Sequence, residues 1–230
     1  LPTYPFQHES YWLKPAPTTD LTTTGLHPLD HPMLAAATTL PDGTHLLTGL
    51  ISLQQQPWLT DHTILDTTLL PGTAFIELAL HAAHHTAHPH LAELTLQHPL
   101  AIPTDTTIEL QLAAGPQDNT GNLPLTIHSR PTNTTHEQPW TLHATGTLTT
   151  TNPQPTTPNP TWPPTGATPL PVEDLYPTLT TQGYNYGPTF QGLHTAWRHG
   201  QDTYAEITLP PHTTTDGYGI HPALLDAALH

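Results

Sequence analysis

Two residues of the sequence are of types that could exchange protons with a substrate near neutral pH. His62 stands in the strand-like run "WLTDHTILD", where an apolar setting would keep its imidazole neutral and able to accept a proton. Asp226 lies on the apolar stripe of the helix-like segment "HPALLDAALH", where burial would favour the protonated carboxyl group. His230 follows one helical turn later, within reach of Asp226. A base and an acid without a nucleophile or a metal fit proton abstraction coupled to protonation of a leaving group, which is elimination chemistry.

Each of these residues also has a purely structural interpretation. His62 could be a buried histidine whose hydrogen bonds are satisfied, and Asp226 could be a helix residue bonded to its neighbours. The spacing of the two residues does not by itself separate the interpretations.

The segment "HAAHHTAHPH" has a spacing that could bind zinc. His81 and His85 are four residues apart, as are His84 and His88, so each pair shares one face of a helix. No carboxylate or cysteine nearby completes a set of ligands, and Pro89 ends the helix. We therefore expect no metal site here and interpret most of the 19 histidines as surface residues.

The composition excludes several classes of partner. The 230 residues carry a formal charge of −15, although only 9% are charged, because Lys14, Arg130 and Arg198 are the only lysine and arginine residues. Nucleic acids and anionic membrane surfaces attract clustered Lys and Arg, so neither is an expected partner. The sequence has no cysteine, no apolar run near the ~20 residues of a membrane span and no visible secretory signal. We expect a cytoplasmic protein or a piece of one.

Hydrophobic periodicity predicts a first unit of strands around one helix. The helix follows Pro71, because the apolar residues after it recur at three- and four-residue steps. Antiparallel strands are expected at 46–53, 91–102, 106–114, 123–130 and 140–150. Residues 151–169 contain too many prolines for a helix or a central strand, so we interpret them as a linker.

A second, similar unit begins after this linker. It is predicted to contain a short helix near 172–183, a strand pair within 192–209 and a helix from 221. The sequence ends one helical turn past Asp226, and a helix without strands to cover it would expose apolar surface. We therefore expect residues 1–230 to be part of a longer protein, and to aggregate or to unfold without a sharp transition on their own.

Four short motifs, spread over nearly the whole chain, carry a resemblance to a known family. The first is "LPTYPFQHESYWL" at the start of the chain, and the second is a His-x3-Gly-x4-Pro pattern from His62 to Pro71 in which Asp66 replaces the glycine. The third is Tyr-Gly-Pro-x-Phe within "GYNYGPTFQG", and the fourth is Asp-x3-His at the end of the chain. In this order they resemble the dehydratase domains of modular type I polyketide synthases, and the first is similar to the linker that follows the acyltransferase domain.

The resemblance implies an α+β fold of the double-hotdog type, in which two long central helices are each wrapped by an antiparallel sheet. It divides the chain into a post-acyltransferase linker at 1–24, an N-terminal hotdog at 25–150, a proline-rich linker at 151–169 and a C-terminal hotdog at 170–230. The second hotdog is expected to be incomplete at its C-terminus.

The resemblance also assigns roles to the residues of the motifs. His62 would be the general base that removes the α-proton of a β-hydroxyacyl thioester, and Asp226 would be the general acid that protonates the departing β-hydroxyl group. Tyr186 would help to bind that hydroxyl group, and His230 would hold Asp226 in place. The product is an α,β-unsaturated thioester.

The substrate is expected to lie between His62 and the start of the helix. The substrate-binding residues implied are Leu70, Pro71, Gly72, Gly187, Pro188 and Phe190. An apolar tunnel for the acyl chain would be lined by Leu69, Leu70, Phe75 and Phe190. Backbone amides at the helix start are expected donors to the thioester carbonyl, because a helix N-terminus favours negative charge.

The implied partner is an acyl carrier protein whose phosphopantetheine arm carries the substrate, so no bound cofactor or metal is expected. The neighbouring acyltransferase and ketoreductase domains would belong to the same synthase, which is expected to be a homodimer. Carrier proteins of this family are usually acidic, as is this chain, so tethering in one polypeptide would recruit the carrier instead of electrostatic attraction. Two alternatives remain open: a structural domain without catalytic activity, and the same fold performing double-bond migration or oxa-Michael cyclisation.

Asp66 departs from the family pattern, and its effect depends on why the family uses glycine there. Glycine serves where φ is positive or where the backbone approaches another group closely. Asp tolerates a positive φ, whereas at a close approach its charge would raise the pKa of His62. We favour the first explanation, because the following "TTLLP" keeps the apolar start of the helix.

Overall fold

The computed structural model describes residues 25–132, 138–152 and 161–230. The predicted linker at 1–24 lies outside these residues, as does the part of the predicted proline-rich linker between 153 and 160. Among the described residues, no helix is both long enough and apolar enough to cross a membrane.

The first half of the described chain contains nine strands, one long helix and a short 3₁₀-helix at Pro57–Asp61. In chain order the strands and the long helix are β1 (His27–His31), β2 (Leu34–Thr39), β3 (His45–Ile51), β4 (His62–Ile64), β5 (Thr67–Thr68), α1 (Gly72–His85), β6 (His90–Leu96), β7 (Ile108–Ala114), β8 (Leu123–Pro131) and β9 (Thr141–Thr149). Seven of the strands form one antiparallel sheet in the order β1-β2-β3-β7-β8-β9-β6.

The alternation of residue types explains why this sheet buries one face. Every second residue of β7 is buried, and the same holds for the first seven residues of β8, which is the period of a pleated strand. The predicted strands at 46–53, 106–114, 123–130 and 140–150 are confirmed as β3, β7, β8 and β9. The strand predicted at 91–102 is shorter than expected, because β6 ends at Leu96 and Ala101 makes only an isolated bridge with Leu69.

Helix α1 is the central helix predicted after Pro71, and it packs into the buried face of the sheet. Its apolar stripe, formed by Phe75, Leu78, Ala79 and Ala82, is no more than 2% exposed and belongs to one continuous core with the strands. Shortening Leu78 to alanine would leave a cavity in this core and would destabilise the fold by about 2–5 kcal/mol.

The second half of the described chain repeats this arrangement with fewer strands. Its elements are β10 (Thr168–Leu170), α2 (Leu175–Thr181), β11 (Tyr184–Tyr186), β12 (Leu193–His199), β13 (Asp202–Ile207) and α3 (Pro222–Ala227), with a short 3₁₀-helix at Pro188–Phe190 between β11 and β12. Strands β10, β12 and β13 form an antiparallel sheet, and α3 contacts α1. The predicted helix near 172–183, the strand pair within 192–209 and the helix from 221 are thereby confirmed.

The predicted proline-rich linker overlaps β10 by two residues. Thr168 and Pro169 pair with Arg198 and Trp197 of β12, so the second sheet begins before residue 170. Because β10 is an edge strand, Pro169 can be accommodated without breaking a central ladder.

A third small sheet joins the two halves of the chain. Its order is β11-β4-β5, and β11 pairs with β4 so that Tyr186 lies opposite His62. The sequence does not predict this pairing, which connects the motif around His62 with the motif around Tyr186.

Candidate active site

The histidine at the centre of the site is held in one tautomer by the backbone. His62 begins β4 and is 5% exposed. Its Nδ1 lies 2.9 Å from the carbonyl oxygen of Leu69, and since a carbonyl only accepts, Nδ1 must carry the hydrogen. The lone pair of the neutral ring is therefore on Nε2. Burial lowers the pKa of His62, and the nearby Asp226 carboxyl group opposes this shift only in part, so the neutral form dominates at neutral pH.

A tight turn brings Leu69 back to His62. Leu65 and Asp66, which connect β4 to β5, have φ angles of 47° and 63°. Positive φ at both central residues is typical of a type I′ hairpin turn, whose twist matches that of the strands. The prediction that Asp66 replaces glycine at a positive φ is confirmed, and Asp66 is exposed at the turn.

The second half of the chain supplies a carboxyl group opposite His62. Asp226 lies on α3 and is 8% exposed, with its Oδ2 atom 4.0 Å from Nε2 of His62 and 3.3 Å from Nε2 of His230. A separation of 4.0 Å exceeds a hydrogen bond, so His62 and Asp226 face each other without binding each other. The other oxygen, Oδ1, lies 3.3 Å from the hydroxyl oxygen of Thr73 on α1.

Aromatic rings form the wall of the site around these groups. The ring centroids of Tyr186 and His62 are 5.5 Å apart, and those of Phe190 and His62 are 4.9 Å apart. The side chain of Phe190 is fully buried. His230 stacks on Tyr186 at 4.6 Å and meets the edge of Tyr176 at 5.7 Å. Burial, with a smaller effect from Asp226, raises the pKa of Tyr186 to about 12, so its hydroxyl group remains a hydrogen-bond donor.

Gly187 and Asp61 explain how Tyr186 is brought to His62. The N–H of Gly187 donates to the backbone oxygen of Asp61 at 2.8 Å, and the N–H of Thr189 donates to Oδ2 of Asp61 at 2.9 Å. A Cβ atom at position 187 would overlap the carboxyl group of Asp61, so the close approach requires glycine.

A cavity of about 410 Å³ opens beside His62. Its lining includes three of the predicted tunnel residues, Leu69, Leu70 and Phe75, together with Gly72 at the start of α1. The remaining lining residues are His62, Ile64, Leu96, Gln97, His98 and Pro99.

Four of the predicted substrate-binding residues lie elsewhere in the site. Pro71 is the N-cap of α1, while Phe190 is buried between His62 and Trp58. Gly187 and Pro188 belong to the segment held by Asp61. None of these four residues lines the cavity, and the contacts described for them are made with other parts of the site.

The structure therefore unites His62, Asp226, Tyr186 and His230, as the motifs predicted, and adds contacts that the sequence analysis missed. Asp61, Thr73 and Tyr176 contact these residues directly or hold their segments. Asp61 directly precedes His62, but nothing in the local sequence indicates that its partner lies 128 residues away. Within the described ranges, no group of three or more metal-binding side chains is placed to hold a metal, and this includes the histidines from His81 to His88.

These observations define the class of the domain, and solved structures agree with it. A helix packed in an antiparallel sheet contacts a second helix, and a buried histidine and a carboxyl group face each other where the halves meet. A dehydratase structure from the borrelidin and fluvirucin polyketide synthases matches with a TM-score of 0.86 and 44% identity, over 92% of this chain and 77% of that chain. The erythromycin dehydratase matches with a TM-score of 0.84 and 36% identity, over 91% of this chain and 77% of that chain. The predicted double-hotdog, α+β fold is confirmed.

Sequence comparison gives the family. Residues 31–130 match the family described as polyketide synthase dehydratase domain, and residues 154–230 match the polyketide synthase dehydratase N-terminal domain. Polyketide synthase GfsB of Streptomyces halstedii is 50% identical over 247 residues, which cover 100% of this chain and 4% of that synthase. The chain belongs to the family of polyketide synthase dehydratase domains. It is accordingly a hydro-lyase domain of polyketide assembly that spans a small fraction of the length of its relatives.

Proposed function

We propose that this domain removes water from a β-hydroxyacyl thioester carried on the phosphopantetheine arm of an acyl carrier protein, with His62 as the base and Asp226 as the acid. The observation that carries the proposal is the orientation of the two groups. The Nδ1–H of His62 is bonded to Leu69, which leaves the lone pair of Nε2 free, and Oδ2 of Asp226 lies 4.0 Å from that nitrogen. Because this distance exceeds a hydrogen bond, the lone pair of His62 and the carboxyl group of Asp226 both remain available to a substrate.

In the proposed reaction, Nε2 of His62 takes the α-proton, and the electron pair of that C–H bond forms the double bond between the α- and β-carbons. The C–O bond at the β-carbon breaks as Asp226 transfers its proton to the hydroxyl group, which leaves as water. Transfer of one proton from the imidazolium of His62 to the carboxylate of Asp226 then restores the neutral imidazole and the protonated carboxyl group. Each proton-transfer partner typically contributes about 10²–10⁴-fold to the rate.

Tyr186 and His230 complete the proposed machinery. With a pKa of about 12, Tyr186 stays protonated and can donate a hydrogen bond to the β-hydroxyl group. His230, three residues past the end of α3, lies 3.3 Å from Oδ2 of Asp226 and fixes that carboxyl group. The start of α1 borders the cavity at Gly72, where backbone amides can stabilise charge that develops on the thioester oxygen.

The remaining assignments follow from this chemistry and from the size of the relatives. The acyl chain would occupy the cavity next to Leu70 and Phe75, and the carrier would supply the phosphopantetheine arm, so no separate cofactor is needed. The synthase would also contain the acyltransferase and ketoreductase domains, form a homodimer and work in the cytoplasm. Residues 1–24 would be the linker from the acyltransferase domain.

The test compares His62→Ala and Asp226→Asn with the parent protein on a β-hydroxyacyl thioester, and mass spectrometry follows the loss of one water molecule. Each variant should be slower by about 10²–10⁴-fold while its circular dichroism stays unchanged. His84→Ala, a change at an exposed histidine of α1, is the matched control and should keep the parent rate.

Other outcomes of this test would identify the alternatives. A parent protein that neither releases water from the β-hydroxyacyl thioester nor converts an unsaturated thioester would be a structural domain. A parent protein that isomerises an unsaturated thioester, or closes a ring through a second hydroxyl group of the substrate, would be assigned to double-bond migration or oxa-Michael cyclisation, and in neither reaction does the mass of the substrate change. Near-normal turnover by either variant would remove that residue from the mechanism.

A further inference from the structure

A buried carboxylate outside the proposed catalytic set lies on the same central helix. Glu77 of α1 is 3% exposed and stands one helical turn after Thr73, so the two side chains share a face of the helix. The N–H of Gly219 donates to Oε1 of Glu77 at 2.8 Å, and the N–H of Ile220 donates to Oε2 at 3.0 Å. Both carboxylate oxygens therefore hold one short stretch of backbone.

The surroundings of Glu77 keep this carboxylate ionised. The N–H of Met33 donates to Nδ1 of His31, so Nε2 of His31 carries its hydrogen, and it lies 3.7 Å from Oε1 of Glu77. Burial alone would raise the pKa of Glu77, but His31 and the two backbone N–H groups outweigh it, and the pKa lies below its ordinary value.

The backbone held by Glu77 leads directly into the helix that carries Asp226. Gly219 and Ile220 precede His221, the N-cap of α3, whose Nδ1 accepts the N–H of Ala223 at 3.2 Å. One turn back on α1, the hydroxyl group of Thr73 donates to the carbonyl oxygen of Pro222 at 2.9 Å and lies 3.3 Å from Oδ1 of Asp226. Contacts from one face of α1 thus run from the residues just before α3 to the carboxyl group of Asp226.

We propose that Thr73 and Glu77 are positioning residues that fix α3 so that Asp226 faces His62. The inference rests on the proposed role of Asp226 as the acid. A purely structural role would lower stability and leave the turnover of the folded protein unchanged. A positioning role predicts a lower kcat with little change in KM, because a reacting group displaced by about 1 Å can cost about 10²-fold in rate.

Glu77→Gln is the first variant. The amide offers one acceptor oxygen, and its NH₂ group faces the second backbone N–H, so one of the two bonds is lost with little change in size. We expect kcat for dehydration to fall by about 10–100-fold and KM to change by less than about threefold. Glu93→Gln is the matched control, since Glu93 lies exposed on β6 and its carboxylate accepts a hydrogen bond from the side chain of Thr147, far from α3.

A double-mutant cycle with Asp226→Asn shows whether Glu77 acts through Asp226. Single-turnover rates are measured by mass spectrometry over long incubations, so that the slow variants remain measurable. The double variant Glu77→Gln/Asp226→Asn should be no slower than Asp226→Asn alone, because misplacing an acid that is already removed has no further effect. An equal loss in both backgrounds, or an unchanged kcat for Glu77→Gln, would overturn the positioning role.

Thr73 provides a second route that does not require Glu77→Gln to fold. Thr73→Val keeps the branched side chain and removes the hydroxyl group, whereas Thr73→Ser keeps the hydroxyl group. We expect kcat to fall by about tenfold in the valine variant and to be restored by serine, and equal rates for the two variants would contradict the role of Thr73. If Asp226→Asn itself turned over at the parent rate, the proposed function would fail, whatever the results at Thr73 and Glu77.

Discussion

Replacing Gly187 by alanine should reduce activity through a displacement of Tyr186. The φ of Gly187 is −82°, which any residue can adopt, so the requirement for glycine comes from space and not from backbone conformation. A Cβ atom there would lie 2.8 Å from Cβ of Asp61 and overlap the carboxyl group. That group cannot rotate away freely, because its Oδ2 accepts the N–H of Thr189.

The size of the effect follows from these contacts. Overpacking of this kind costs about 1–3 kcal/mol of folding free energy, which for a domain of this length lowers the melting temperature by roughly 2–12 °C. Because the N–H of Gly187 is bonded to Asp61 next to His62, relieving the overlap must move β11 away from β4. A shift of about 1 Å would reduce kcat by about 10²-fold.

The assay measures kcat on a β-hydroxyacyl thioester and the thermal unfolding of Gly187→Ala, Asp61→Gly and the double variant. Removing the Asp61 side chain frees the space, so the loss of stability in the double variant should be at least about 1 kcal/mol smaller than the sum of the single losses. Strictly additive losses, or parent-like activity and melting of Gly187→Ala, would refute the assignment of Gly187 as a close-approach residue.

Three further predictions concern the residues around the site. Asp66→Gly should change turnover by less than about tenfold, or roughly 1.4 kcal/mol, because Asp66 already adopts the φ of 63° that glycine would favour; a hundredfold gain, measured by steady-state kinetics, would instead show that Asp66 impairs the site. Tyr186→Phe should cost less turnover than His62→Ala, since it deletes one orienting hydroxyl group; a loss as severe as that of His62 would point to Tyr186 as the acid. The acid limb of the kcat/KM profile should lie below pH 6.5, because burial places the pKa of His62 below its ordinary value of 6.5 and the protonated ring cannot accept a proton; an acid limb above that value would exclude His62 as the titrating base.

The elements with strong local periodicity could be predicted from the sequence. The three- and four-residue steps after Pro71 predict α1, and the alternation in β7 and β8 predicts two strands with one buried face. Each of these patterns lies within a single element, so the local sequence is enough to indicate which face of that element is buried. The positive φ of Asp66 could also be anticipated, because few residue types can replace glycine at such a position.

The contacts between the two halves could not be predicted in the same way. Asp61, Thr73 and Glu77 all lie within or beside predicted elements, yet their partners are 128 to 153 residues away in the chain. A periodic pattern carries no information about which distant segment it meets. The same limit explains why the lining of the cavity was only partly anticipated, since Leu96 to Pro99 reach it from the end of β6 and not from a motif.

The small sheet β11-β4-β5 has a consequence for the order in which the domain folds. The strands around α1 make contacts that are mostly contained in the first half of the chain, so that half can form its core early. Strand β4 must wait for β11, which is joined to it across a closed loop of more than a hundred residues, and such distant pairings form slowly. Tyr186 and Asp226 follow His62 by 124 and 164 residues, so at ribosomal rates of about 5–20 residues per second they are synthesised roughly 6–25 and 8–33 seconds after it. During that interval the nascent chain contains His62 but neither Tyr186 nor Asp226, so the site is complete only after the second half has been synthesised and β11 has paired with β4.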